Sequence, residues 1–266
     1  MLDEDKIKNR KFINAITPYG PKIEIIQKNK VISSQPEIDM SEDDPTIKNM
    51  LLCGDGLFNK FTKKRCSVGF FARAKNKTYV VTDEHCRDRT KREPSKFLQL
   101  AWNSTSAAAV VGSMLTFVGK PYDFGLIDTS NKSLTLKLLP SVRNTDSKKF
   151  RELNIENAIL VSTHGAHLCK SGYTTHVTCG LIRAFSAIYM ARSRVYFIDF
   201  ILTNMLSIHG DSGGTTFRYS DLNSVILNGI LYGGLGNFAT LISPIDKILE
   251  YTGVEPITTN STNSAI

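Results

Sequence analysis

From Leu51 onward the chain is a succession of short β-forming runs, each closed by a turn signal, and few folds accept such a pattern. Val68–Ala72 and Thr78–Thr82 are apolar and rich in β-branched and aromatic residues, and Lys75-Asn76-Lys77 between them reads as a hairpin break. Further strand candidates are Phe97–Trp102, Ala107–Val118, Phe124–Asp128, Leu134–Leu138, Ile159–Ser162, Thr174–Ile182, Val195–Leu202, Thr215–Tyr219, Val225–Tyr232 and Thr240–Ile242. About a dozen strands argue for barrels or sandwiches. One segment reads as a helix. Ser243 offers an N-cap and Pro244 a first helical residue. Ile245, Ile248 and Leu249 share a face, and Gly253 can end the turn.

The 266 residues suffice for one well-packed domain plus an extension, and 41% hydrophobic with 22% charged residues is a soluble, globular composition. The most apolar stretch, Val195–Leu206, is interrupted by Asp199 and is too short to span a bilayer. Met1-Leu-Asp-Glu-Asp-Lys is not a signal peptide. Residues 1–50 are polar, contain Pro18, Pro21, Pro36 and Pro45, and show strand-like character only over Lys22–Ile32. They read as a flexible or removable extension, residues 51–253 as the functional domain, and residues 254–266 as a disordered tail.

The formal charge is +8, and residues 1–50 sum to −1, so the remainder carries +9. These cations are scattered, with short clusters at Lys60–Arg65 and Arg87–Arg92, and no nucleic-acid-binding motif accompanies them. Of the five cysteines (Cys53, Cys66, Cys86, Cys169 and Cys179), none has the CxxC spacing of a metal site. Four sequons, at Asn76, Asn103, Asn131 and Asn260, together with paired-looking cysteines, favour a secreted protein in an oxidising compartment.

The densest chemical signal is Ile208-His-Gly-Asp-Ser-Gly-Gly-Thr-Thr216. Glycines around a single serine expose its hydroxyl and leave backbone N–H groups open to a substrate. A serine hydroxyl needs a base, and the base needs an orienting acceptor. Among His85, His164, His167, His176 and His209, His85 stands out at a strand end beside Cys86; the other four read as surface or structural residues. Asp123 opens the apolar run Phe124–Ile127 and is the preferred orienter, with Asp128 at the far end of that run as its competitor.

The order His85, Asp123, Ser212 in these contexts resembles the chymotrypsin family of serine proteases. Cys66-Ser-Val-Gly-Phe70, Val80-Val-Thr-Asp-Glu-His-Cys86 and the Cys169–Cys179 segment are similar to its small bacterial branch, the alpha-lytic protease and streptogrisin group. The resemblance runs from about Gly54 to Ile248. It implies an all-β fold of two six-stranded antiparallel barrels, an active site in the cleft between them and a short C-terminal helix. It implies a serine endopeptidase with Ser212 as nucleophile, His85 as base and then acid, and Asp123 as orienter. The N–H groups of Gly210 and Ser212 would form the oxyanion hole. Cys66–Cys86 and Cys169–Cys179 would be disulfides worth about 3 kcal/mol each, with Cys53 left over. Residues 1–50 would be the end of a pro-region, making the chain a zymogen. The partner would be a peptide or protein substrate. No nucleic acid, membrane, cofactor or metal is implied, and a monomer is expected.

The family's small residues before the histidine are here Asp83-Glu84, which either perturb His85 or point outward. His176 stands where a glycine is usual, and Tyr232 where a serine is. The substrate chain would run along Tyr232, Gly233 and Gly234, with Leu206, Ser207 and His209 lining the adjacent pocket. No acid lies at Leu206-Ser-Ile208, which implies an apolar or aromatic preference. The alternative is an inactive homologue that binds peptides or a protein partner.

Overall fold

A computed structural model describes Ile7 and residues 10–20, 50–191, 195–235 and 239–261. The strand expected over Lys22–Ile32 lies outside the described residues. Within the extension, Arg10–Ile16 forms a short helix, α1, which the sequence reading did not anticipate, and Phe12 places its ring 5.2 Å from that of Tyr196.

The strands follow in chain order: β1 (Met50–Cys53), β2 (Gly56–Asn59), β3 (Arg65–Ser67), β4 (Phe70–Ala74), β5 (Lys77–Thr82), β6 (Ser95–Leu100), β7 (Ala107–Val118), β8 (Phe124–Asp128), β9 (Lys137–Arg143) and β10 (Glu152–Ala158). Then come β11 (His167–Gly172), β12 (His176–Met190), β13 (Tyr196–Thr203), β14 (Thr215–Tyr219), β15 (Ser224–Leu235), β16 (Ala239–Pro244), helix α2 (Ile245–Thr252) and β17 (Glu255–Pro256).

They build two sheets of a trypsin-like all-β fold. The first has eight strands in the order β17-β4-β5-β8-β7-β6-β2-β3, and the second nine, β1-β9-β10-β15-β14-β11-β12-β13-β16, with β15 also pairing β16. The first sheet has two strands more than the six expected and the second three; among the additions, short β17 pairs with β4, and β1 lies parallel to β9. Inward-facing side chains fill the interior, with Phe70, Phe97, Phe124 and Val111 of the first sheet and Phe217, Leu227 and Ile230 of the second fully buried.

Three expected elements shift. The strand sought at Leu134–Leu138 begins at Lys137 and runs through Pro140. Its register with β1 slips between Leu52 and Cys53, which accommodates the missing proline N–H. Ile159–Ser162 is not a strand; the pairing segment lies one step earlier, in β10, and Ile159 closes it by donating to the Leu227 carbonyl at 2.9 Å. Ser243 does not cap α2, because β16 carries the chain through Pro244 and the helix starts at Ile245, with left-handed Gly253 (φ +65°) closing it as expected.

The tail is likewise not disordered over Val254–Ser261. Ile257 N–H donates to Phe71 O at 2.8 Å in the first sheet, and Thr259 N–H to Ile155 O at 2.8 Å in the second. One strap therefore touches both barrels.

Disulfides join Cys66 to Cys86 and Cys169 to Cys179. Cys53 is buried and free, and burial pushes its thiol far above its ordinary value. Among the described residues no helix is long and apolar enough to cross a membrane.

Asp128 is bound away from the site by Lys77 Nζ at 2.8 Å and the Ser130 N–H at 2.8 Å. Burial opposes its charge, but these partners hold it down at about 2. A carboxyl lowered in this way adds stability above its unfolded value, and the gain vanishes as the pH falls through the folded one. Asp128→Asn is therefore expected to cost about 1–2 kcal/mol at pH 7, discounted because Lys77 is half exposed, and almost nothing near pH 2. Chemical denaturation of both proteins at the two pH values measures this.

Candidate active site

Each of the three expected catalytic residues is mounted by a different device. His85 does not end β5 itself. The strand stops at Thr82, and the histidine sits in the 3-10 turn Glu84–Cys86, pinned through Cys86 to Cys66. Asp123 directly precedes β8 and is 1% exposed. Ser212 lies on the loop ahead of β14, half-buried between glycines.

The histidine and aspartate are joined. Asp123 Oδ1 accepts the His85 backbone N–H at 2.8 Å and lies 3.3 Å from Nδ1 of the ring. Burial alone would push the Asp123 carboxyl up. The His85 hydrogen bond and charge, the backbone N–H and Arg89 bring it below the ordinary carboxylate value.

The serine loop abuts the turn that carries His85. Gly213 adopts φ +81°, and a Cβ there would overlap Thr82 Oγ1 and come within 3.0 Å of Asp83 N, so glycine is required both for conformation and for space. Ser212 O accepts the Ser67 N–H at 2.7 Å, which fastens the loop to the first sheet. Ser212 Oγ reaches the Tyr232 carbonyl at 3.4 Å, and the His85 ring stands edge-on to the Tyr232 ring at 5.6 Å between centroids. Base and hydroxyl thus meet the same residue. The two N–H groups expected to hold an oxyanion, on Gly210 and Ser212, meet no acceptor among the described residues. Gly210 is left-handed, at φ +102°.

Asp211 fixes this loop. Its fully buried carboxylate accepts N–H groups from Thr174 and Thr175 at 2.9 Å each and from Ile208 at 3.1 Å, and the Thr175 hydroxyl at 2.7 Å. Lys170 Nζ completes the cradle 3.6 Å from Oδ2 and donates to His176 O at 2.8 Å. Burial pushes Lys170 down from 10.5 to about 8, against the pull of Asp211. Sequence reasoning passed over Lys170. Its signal was a lone charge inside an otherwise uncharged strand, Leu168-Cys-Lys-Ser171.

Asp83 and Glu84 do not point outward; they are 0% and 3% exposed. Glu84 takes Arg87 Nε at 2.5 Å and also Arg89 Nη2, and the same Arg89 nitrogen lies 3.3 Å from Asp123 Oδ2. Burial, and next the charge of Asp123, hold the Asp83 carboxyl well above its usual range. Of the remaining histidines, His164, His167 and His209 are exposed. His176 stacks on Trp102 at 4.1 Å, its Nδ1 lies 2.7 Å from Asp146, and its φ of +54° explains why glycine is usual at that position.

Along the expected substrate groove, Leu206 and His209 are exposed, Tyr232 and Gly233 half-buried, and Ser207 buried. Ser207 Oγ and Thr240 Oγ1 are 2.8 Å apart. A Cβ on Gly234 would meet the Ser207 carbonyl at 2.7 Å, so the two walls touch there. Ligand atoms of Asp83, His85 and Asp123 cluster within 4.8 Å of one another, but the Arg89 guanidinium already lies against Asp123, which disfavours a bound cation.

No family model matches the chain. Solved structures do. Protease A of Thermobifida fusca superposes with a TM-score of 0.59 at 22% identity, covering 79% of this chain and 99% of its own. Cellulomonas bogoriensis chymotrypsin gives 0.60 at 22% identity, over 79% and 100%. Nocardiopsis protease gives 0.61 at 20% identity, over 79% and 100%. The chain has the fold of these bacterial chymotrypsin-like proteases.

Proposed function

We propose that the protein is a serine endopeptidase acting through an acyl-enzyme at Ser212, His85 and Asp123. The observation that carries this reading is the contact of Gly213 with Thr82 and Asp83, which brings the nucleophile's loop against the turn bearing an Asp-oriented imidazole. In the proposed reaction His85 takes the Ser212 proton as the hydroxyl oxygen attacks the scissile carbonyl. Asp123 stabilises the imidazolium, and the Gly210 and Ser212 N–H groups receive the oxyanion. His85 then returns the proton to the leaving amine, and water releases the acyl group by the reverse sequence.

Residues 206–208 of the pocket wall bear no acid, which supports an apolar residue before the cut. The contact of Gly234 with Ser207 favours small side chains, since an aromatic ring would have to part the walls. The domain proposed to do this work is residues 51–253, with residues 1–50 as a pro-region. The strap after Gly253 is part of the folded body rather than a free tail. Two disulfides and four exposed sequon asparagines favour a secreted protein, and the reading is completed by a monomer acting on peptide or protein substrates.

A fluorophosphonate probe tests the reading: the protein is expected to label, and Ser212→Ala is not. If neither labels, before or after removal of residues 1–50, the chain is instead an inactive peptide-binding relative, the reading that the touching walls would then favour.

Lys170 gives a pH test. Loss of its proton above about pH 8 removes the cation on Asp211, so kcat/KM is expected to decline there. A lysine lowered in the fold holds fewer protons than in the unfolded chain between about 8 and 10.5. Its contribution to stability therefore rises with pH in that window. The decline should appear without a parallel loss of melting temperature from this group, and Lys170→Met should start lower at pH 7 and show no such limb.

A further inference from the structure

The Nδ1 edge of His85 faces two carboxylates, and the reaction uses one. Asp123 Oδ1 lies 3.3 Å from Nδ1 and Asp83 Oδ2 3.8 Å from it, and both acids are buried. Two buried carboxylates whose oxygens come within 4.8 Å of each other repel, which favours one proton shared by the pair.

The partners decide where that proton sits. Asp123 has the His85 backbone N–H, the ring and Arg89. Asp83 has neither of its oxygens hydrogen-bonded among the described residues, and the Gly213 N–H beside it is committed to Leu231 O at 2.7 Å. Arg89 is 47% exposed, yet its guanidinium is not loose. Glu84, itself 3% exposed, holds it from behind, and Arg87 Nε braces Glu84 at 2.5 Å. Asp83 and Glu84 therefore cannot be read apart from Arg89.

We infer that Arg89 is a positioning residue: anchored by Glu84, it keeps the negative charge of the carboxylate pair on Asp123, leaves the proton on Asp83, and so gives His85 a single anionic partner. The catalytic consequence rests on the acyl-transfer reading; the charge arrangement belongs to the resting protein. Without Arg89 the anion would spread toward Asp83, and the ring N–H would be drawn between two acceptors. Asp83 and Glu84 on the same turn, Asp123 ahead of β8, Arg87 and Arg89 on the following loop, and Tyr232 on β15 are the titratable and charged groups around the ring, with Lys64 Nζ on the His85 carbonyl at 3.1 Å.

Two measurements on the full chain test this. Infrared difference spectra between the wild type and Asp83→Asn at neutral pH are expected to show a protonated-carboxyl C=O band that the variant lacks. NMR titration of histidine-labelled protein is expected to show the His85 curve of Arg89→Gln moved to higher pH, because the cation held against Asp123 Oδ2 is gone and the ring then faces a less compensated carboxylate. Arg89→Lys should move it at least halfway back. Absence of the band, or a His85 curve in Arg89→Gln that stays put or moves to lower pH, overturns the proposal. Should Asp83→Asn not fold, the Arg89 series decides alone, since that side chain is half exposed. Neither readout needs turnover. If both hold while Ser212 fails to label with fluorophosphonate, the acyl-transfer reading falls and the charge arrangement stands.

Discussion

The buried pair between Lys170 and Asp211 is the interaction on which the site depends. Asp211 immediately precedes Ser212, and its carboxylate gathers donors from the Gly172–His176 turn and from its own loop. An anion sunk this deeply would be prohibitive without a cation, and a lysine sunk equally deeply would shed its proton without an anion. Each therefore makes the other tenable. Together they fix the backbone that presents Ser212 and the free N–H groups beside it. The partner cation comes from β11, an interior strand of the second sheet, and so arrives already positioned by the ladder.

A second charge system, around His85, has a different character. There the excess of carboxylates over partners is the notable quantity. Asp83, Glu84 and Asp123 are all buried, and Arg87 and Arg89 supply the opposing charge. Small residues at the two positions before the histidine would need no such apparatus. The acids and arginines form one connected charge system, in which Glu84 holds both arginines and Arg89 reaches on to Asp123.

Much of this was legible in the sequence because it was local. Runs of β-forming residues bounded by turn signals located β7, β8 and β14 to the residue, and the glycines around Ser212 announced a tight, accessible loop. The His85–Asp123 couple was legible from order and context, since each flanks an apolar β-run. What escaped was set by partners far along the chain. β1 and β17 are too short to show a period, and they exist because β9 and β4 offer edges to them. Whether Asp83 and Glu84 faced inward depended on Arg89 and Asp123, and the role of Lys170 on Asp211, 41 positions away in sequence. Pro140 sits at a register slip, and Pro244, expected to open the helix, instead ends β16; both are places where a missing N–H costs little.

The strap formed by β17 and the residues just beyond it bears on how the two sheets can move apart. Its backbone donates to Phe71 in one barrel and to Ile155 in the other, and the Thr259 hydroxyl adds Pro140 at 3.2 Å. Any breathing that drew the barrels apart would have to rupture those links, so the strap acts as a mechanical stop on their separation. A ligand at the proposed groove would therefore be admitted at least cost by rearrangement of side chains and loops there, which leaves those links intact.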